Sequence, residues 1–420
     1  RPVLAYYRPG RPVAGLTHSR ADGAPVATYY DRHGVLQTAA PGALRDDAWL
    51  YESHTGLYRR CTLLEGARTN VLWDSSNFAA GSAWTGEASF TLEPVASLIS
   101  GQTAYKHTND GLVSSRNRAQ TRGVLTGQPE TFYLVIENVD AASTGWGIFD
   151  ATASAFVARG SFTWATETAQ VIEGTGPVRT MKIADAGPNG GVVYLLAVTG
   201  TGTAGDDRLL IVYPTGTGTN TESAIIHHAQ YEEAYVPSSP IVTPSAAGAT
   251  RAGDSFVEAF AYAPQEMTLY FKFFELGTAI LADGARIFNV GSAAGSAPRL
   301  YLDVTSAGRY RLFHHQDVGT RSSEMGTSTS FGQTVELRAV LYRDGSVQLH
   351  QSINGAAETS APRTAALALP AAWSDTALWV NSVGTTRHGL MGLRSYGVSP
   401  GTLTLAQCRA AFPEHEGVAA

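Results

Sequence analysis

The residues best equipped for chemistry are two histidine pairs, His227-His228 and His314-His315, two acidic pairs, Asp46-Asp47 and Glu232-Glu233, and a glycine-rich run, Gly200 to Gly205. Both histidine pairs fall in segments that read as strands, where consecutive side chains point to opposite faces, so two neighbours cannot chelate one ion. One histidine of each pair is expected at the core edge and the other in solvent, with no metal and no cofactor. Gly200-Thr201-Gly202-Thr203-Ala204-Gly205 satisfies the GxGxxG spacing of dinucleotide sites. That site needs a helix whose N-terminus faces the pyrophosphate, and here the run leads into the strand-like Arg208 to Tyr213, so a hairpin loop is expected. Glycoside hydrolysis needs two carboxylates held at a fixed separation. Asp46-Asp47 sits in loose N-terminal sequence and Glu232-Glu233 marks the surface before a proline-rich connector. No GxSxG elbow, HExxH helix or P-loop occurs. The chain is therefore expected not to be an enzyme.

Aromatic side chains are the remaining candidates, because sugars are held by ring faces with planar polar neighbours. Trp84, Trp146, Trp164, Trp373 and Trp379 are the exposed candidates. In Ala377 to Val383, Leu378, Val380 and Ser382 share one strand face and Trp379, Asn381 and Val383 the other. If the first face is core, Trp379 and Asn381 line an outer or concave surface, with Arg387 nearby, and these three residues form the expected glycan-binding set.

The elements that would position them are strands. With 44 Gly, 18 Tyr and only 16% charged residues over 420 positions, the composition fits short strands joined by tight turns. Runs at 131–137, 146–150, 178–184, 192–199, 208–213 and 224–231 define one β-sandwich over 61–237. Runs at 267–276, 285–291, 299–305, 309–316, 334–343, 346–353, 377–383 and 389–398 define a second over 251–420. Asp344-Gly345 and Asn354-Gly355 are turn chemistry. Thr404 and Gln407 predict a capping box on a short helix whose Leu405, Cys408 and Phe412 share a face. Residues 1–60 read as an extended arm with a hairpin around Arg32-His33-Gly34, docked on its own sandwich and then reaching a neighbouring subunit. Residues 238–250 read as a stiff linker, after Glu232-Glu233 and among Pro237, Pro240 and Pro244. The fold class is all-β: two jelly-roll-like β-sandwiches in tandem, an N-terminal arm and a short C-terminal helix.

The balance of charge narrows the partners. A net charge of −6 with three lysines and no basic run argues against nucleic acid. No apolar stretch approaches the ~18 residues of a membrane span, so no membrane insertion is expected. Cys61 and Cys408 read as two buried small hydrophobes. Because the chain opens on Arg1, it is expected to be processed or trimmed.

Three segments carry a family resemblance. Ala229 to Asp254, AQYEEAYVPSSPIVTPSAAGATRAGD, resembles a recurrent stretch of bacteriophage structural proteins that ends one β-sandwich before a concanavalin A-like one. Cys61 to Trp73, CTLLEGARTNVLW, with the following Ser75 to Trp84, resembles the upstream signature of the same proteins, and Ala27 to Thr38 a third element in the same order. The strand series ending in a short helix also resembles a laminin-G or concanavalin A-like lectin domain. The resemblance implies a virion structural protein at the particle surface, a tail or head fibre or spike attaching to host glycan. It further implies a homotrimer beside other virion proteins. A decoration or cement protein and a polysaccharide depolymerase are the alternatives.

Overall fold

The structure is a computed structural model that describes residues 5–11, 16–20, 27–86, 90–111, 118–122, 127–216, 221–243, 247–260, 262–277, 285–291, 297–305, 307–375, 377–380, 390–414 and 417–419. Among the described residues every regular element is a strand except a single turn of 3₁₀ helix at Trp164–Thr166 and the helix Leu405–Ala411, so the protein is all-β as expected. It divides into two compact units. One comprises Arg1–Ala21, Pro41–Ala67 and Ala252–Ala419; the other Asp22–Ala40 and Arg68–Arg251.

In the first unit two antiparallel sheets face each other across one core. The seven-stranded sheet runs in the order Leu16–Ser19, Ser255–Ala259, Ala377–Val380, Arg286–Val290, Arg299–Val304, Tyr310–Gln316, Gly319–Glu324. The opposing sheet is built around Met267–Glu275, paired on one side with Thr334–Leu341 and on the other with Leu390–Pro400. That last strand is long enough for its free edge to take two partners, Thr62 to Glu65 at one end and Ala5–Tyr7 at the other. Alternate residues of each strand enter the core: Leu269, Phe271 and Phe273 from one sheet, Leu300, Leu302 and Val304 from the other. Thr404 and Gln407 form the predicted capping box, and Cys408 and Phe412 pack with Tyr270. Cys61 and Cys408 are both free and buried, and burial pushes each thiol up to about 12.

The second unit is also a two-sheet sandwich. Its six-stranded sheet has the order Val178–Ala184, Val193–Gly200, Glu130–Asn138, Ser223–Glu232, Thr103–Asn109, Phe90–Ala96. The five-stranded sheet places Arg208–Tyr213 and Ser143–Asp150 at its centre. Phe132, Leu134 and Ile136 face the core between the sheets, while Tyr133 and Val135 face a second cluster closed by Tyr30 and Leu36 of the hairpin Thr28–Tyr30/Leu36–Thr38. Both faces of the strand are therefore covered, which is why Thr131 to Glu137 is apolar at nearly every position rather than alternating. The hairpin turns where expected, with Gly34 at φ 72° and Asp31 Oδ1 accepting from the His33 and Val35 amides at 2.8 and 3.0 Å.

Several expectations need correction. Residues 1–60 are not one arm: Ala5–Tyr7 and Leu16–Ser19 complete the two sheets of the first unit, and the hairpin at 28–38 roofs a sheet of the second. The expected linker begins as a packed segment, not a solvated one. Asn70 Nδ2 donates to the Ile241 carbonyl at 2.8 Å, the Ile241 amide donates to Gln230 Oε1 at 2.7 Å, and Ser238 to Thr243 are all buried save Val242, which is half-buried. Gly200 to Gly205 is no hairpin loop, since the strands it joins lie in different sheets. It does lead into a strand, and Glu130 Oε1 accepts from both the Gly202 amide, at 3.3 Å, and Arg208 Nε, at 3.0 Å.

Candidate functional site

Strand alternation builds the site. In Ala377–Val380, Leu378 and Val380 enter the core, so Trp379 stands on the outer face of the seven-stranded sheet, half-buried. Register then fixes its row. Trp379 lies opposite Val257 on one side and Asn289 on the other; Asn289 is opposite Tyr301, Tyr301 opposite Phe313, and Phe313 opposite Ser322. Leu300 and Leu302 flank Tyr301 on the core side, as Leu312 and His314 flank Phe313. The outer face thus carries an aromatic row that no single segment displays as a motif.

Arginines from neighbouring rungs lie on these rings. The guanidinium carbons of Arg286 and Arg299 are 3.7 and 4.7 Å from the Tyr301 ring centre, and that of Arg311 is 5.1 Å from Phe313. Tyr301 and Phe313 stack at 4.6 Å and 18°. Such contacts fix both ring and guanidinium orientation. Asp303 accepts from Arg286 at 3.2 Å and from Arg311 at 3.1 Å, so two guanidinia neutralise the carboxylate of this patch. Arg299 has no carboxylate partner among the described residues. The Trp379 indole N–H is buried with no acceptor among the described residues. On this face Tyr301, Asn289, Arg286 and Asp303 are buried, and only Trp379, Phe313, Arg299 and Arg311 are partly exposed, so these rings and guanidinium donors are the groups that polyhydroxylated or carboxylate-bearing ligands could reach.

Of the expected set, Trp379 is placed as alternation predicted, while Asn381 and Arg387 lie outside the described residues. The other tryptophans divide. Trp84, Trp146 and Trp164 are core residues of the second unit rather than platforms, and Trp373 is half-buried against the core of the first. Tyr301, Phe313 and the three arginines were missed. The period-two pattern of Arg299 to Val304 placed Tyr301 outside, but only cross-strand register shows what it meets.

The other chemical candidates resolve into structural roles. His227 and His228 are both buried, against the expectation that one would be solvated, because both faces of their strand are covered. His227 Nε2 lies 3.0 Å from Glu137, and its Nδ1 accepts the Leu98 amide at 3.2 Å. His228 Nδ1 lies 2.9 Å from Ser76 Oγ, and burial lowers its pKa to about 4. His314 is buried and bonded through Nδ1 to the Gly345 carbonyl at 2.8 Å, with His315 half-buried. No group of three His, Cys, Asp or Glu side chains among the described residues could hold a metal ion. Glu232, expected at the surface, is fully buried and accepts from the Ser238 amide and hydroxyl at 2.7 and 2.8 Å. Asp46 accepts from the Gly10 amide at 3.0 Å, and Asp47 pairs with Arg60 at 3.0 Å.

No protein-family model matches the chain, and no curated protein sequence matches it. Solved structures that it resembles include the Ruminococcus gnavus IT-sialidase CBM40 bound to α2,6-sialyllactose, at 15% identity over 35% of this chain and 83% of that one, TM-score 0.26. A heptameric SAP-like pentraxin from Limulus polyphemus matches at 13% identity over 34% and 67% of the respective chains, TM-score 0.25. Domains LG4-5 of the mouse laminin α1 chain match at 12% identity over 74% and 92%, TM-score 0.25. At such TM-scores these likenesses assign neither a ligand nor a residue role to this chain.

Proposed function

We propose that this chain is a non-enzymatic virion structural protein of a bacteriophage, a fibre or spike whose C-terminal sandwich attaches to host-surface glycan. One observation carries the binding reading: the outer face of the seven-stranded sheet bears Trp379, Tyr301 and Phe313 in register, with Arg299 lacking a carboxylate partner among the described residues. Trp379 and Phe313 are half-buried on this face, while Tyr301 lies buried beneath Arg286 and Arg299. The virion reading rests on the resemblance of Cys61 to Trp73 and Ala229 to Asp254. Assembly as a homotrimer beside other virion proteins accords with that resemblance, and multivalency would let a shallow face suffice.

The test is retention of the purified oligomer on bacterial cells and on their extracted surface polysaccharides, with released reducing ends assayed in parallel. Retention without cleavage is expected, and Trp379→Ala and Phe313→Ala should each weaken it ~10-fold or more. Cleavage would refute the non-enzymatic reading. Retention indifferent to both substitutions would remove the face from the proposal.

A further inference from the structure

A sheet edge is a row of unpaired N–H and C=O groups, and folded proteins guard it with proline, charge or a covering segment. The two main sheets of the second unit have four edges between them, and three are guarded. Phe90–Ala96, last in the six-stranded sheet, carries Pro94, which has no N–H to offer a neighbour. At the other end of that sheet Val178–Ala184 carries Arg179 and Lys182, the lysine paired with Glu167 at 3.0 Å and Asp185 at 3.1 Å. In the five-stranded sheet the free side of Arg118–Arg122 is taken by Thr85, whose amide donates to the Ala119 carbonyl at 2.8 Å and whose carbonyl accepts the Ala119 amide at 3.2 Å.

The fourth edge is Thr168–Gly174, TAQVIEG. It pairs along one side with Ala155–Thr163, and no backbone group among the described residues bonds its other side. It holds no proline, lysine or arginine. Every residue is exposed except Ala169, which is half-buried. Val171 and Ile172 are each 43% exposed, among the most exposed large apolar side chains described. The register shift opposite Arg159 and Gly160 makes Ile172 an extra residue in the strand, which interrupts the alternation of faces at this pair. Arg159 reaches Glu173 at 2.6 Å, so the one charge of the strand is neutralised from within its own sheet.

The strand's sequence selects what can cover it. A charged partner finds no complement here, because the single carboxylate is already paired. A sugar finds few polar side chains besides Thr168 and Gln170. A copy of the same strand fits better. Laid antiparallel and centred on Val171, it places Val171 beside Val171, Ile172 opposite Gln170 and Glu173 opposite Ala169, so no like charges meet and the apolar pair of each copy lies against that of the other. We propose that Thr168–Gly174 is a docking edge for a second copy of this chain, continuing the five-stranded sheet antiparallel from one copy into the next. Such pairing is two-fold, so it joins copies in twos and is separate from both the trimer and the glycan face. The contact is narrow, well below the ~1,600 Å² of a standard interface, and its affinity is correspondingly modest.

The test is sedimentation equilibrium of the full chain from ~1 to ~200 µM, with hydrogen exchange followed at both ends of that range. The mass is expected to double as concentration rises, whatever the assembly at the dilute end, while the amides of 168–174 gain protection. Val171→Lys combined with Ile172→Lys supplies the charge that guards other edges and should weaken the doubling at least ~10-fold. Both side chains are exposed, so unchanged thermal unfolding should accompany the loss. Val318→Lys places the same charge on an 81% exposed apolar residue of the first unit and should leave the doubling intact. A mass constant over the whole range would overturn the proposal. So would doubling that survives the paired lysines, that is lost equally in Val318→Lys, or that protects strands other than 168–174. Protection of 168–174 at every concentration without doubling would overturn it too, by showing the edge covered by another segment of the same chain.

Discussion

Two buried carboxylates, Glu232 in the second unit and Asp254 in the first, come from one stretch of chain and titrate in opposite directions. Asp254 accepts from Arg20 at 3.0 Å, His18 at 3.1 Å and the Glu65 amide at 2.9 Å, and pairs with Arg45, which also bonds Glu65. Burial alone would raise its pKa, but Arg45, His18 and Arg20 hold it well below the usual carboxylate range. Glu232 accepts two bonds from Ser238 while Arg68 stays 3.9 Å away, and burial raises its pKa. Desolvation dominates where the only close donors are neutral; paired guanidinia dominate where they touch the carboxylate. A buried charge is therefore maintained in one unit and disfavoured in the other.

That contrast is open to test. Asp254→Asn leaves Arg20 and Arg45 buried without their shared carboxylate and should destabilise the first unit by ~3–5 kcal/mol, measured by urea unfolding. Acidification gives the next effect. A depressed folded pKa contributes stability that is present above the unfolded value of ~3.9 and lost as pH falls below it. The parent should thus lose stability from pH 5 to pH 2, and Asp254→Asn should show a shallower loss. Glu232 has the opposite sign. With its folded pKa raised, it favours folding below ~4.3 and opposes it as pH rises through the folded value. Glu232→Gln should then lie within ~1 kcal/mol of the parent at pH 7, on the stabilising side, with the gain vanishing in acid. A strongly destabilised Glu232→Gln would show that the ionised form is the one the fold requires.

The same residues show what the segments Cys61 to Trp73 and Ala229 to Asp254 do in the fold. Glu65 and Asp254 belong to one buried cluster in the first unit, and Asn70 in the second accepts from the Leu72 and Tyr231 amides at 3.1 and 3.2 Å while holding Ile241. In this chain those segments organise buried polar contacts, while Trp379, Tyr301 and Phe313 lie outside them. Legibility followed burial. Thr131 to Glu137 and Met267 to Glu275 were legible because runs of apolar residues have few other solutions than buried strands. The hairpin Ala155–Thr163/Thr168–Gly174 was not, because its outer strand is almost wholly exposed and its apolar Val171 and Ile172, adjacent in sequence, give no alternating pattern.

By itself the sequence determined the all-β class, most strand positions, the turn at Gly34 and the cap at Thr404, all set by interactions within a few residues. It also set which face of Ala377–Val380 carries Trp379, because strand alternation is local. Only the tertiary structure decided that residues before 60 are shared between two units, that Trp84, Trp146 and Trp164 are core, and that Glu232 is buried. It alone brought Trp379, Tyr301 and Phe313 into one row. Cross-strand register and the covering of a second face are long-range choices, fixed by which distant segments bury one another's surfaces.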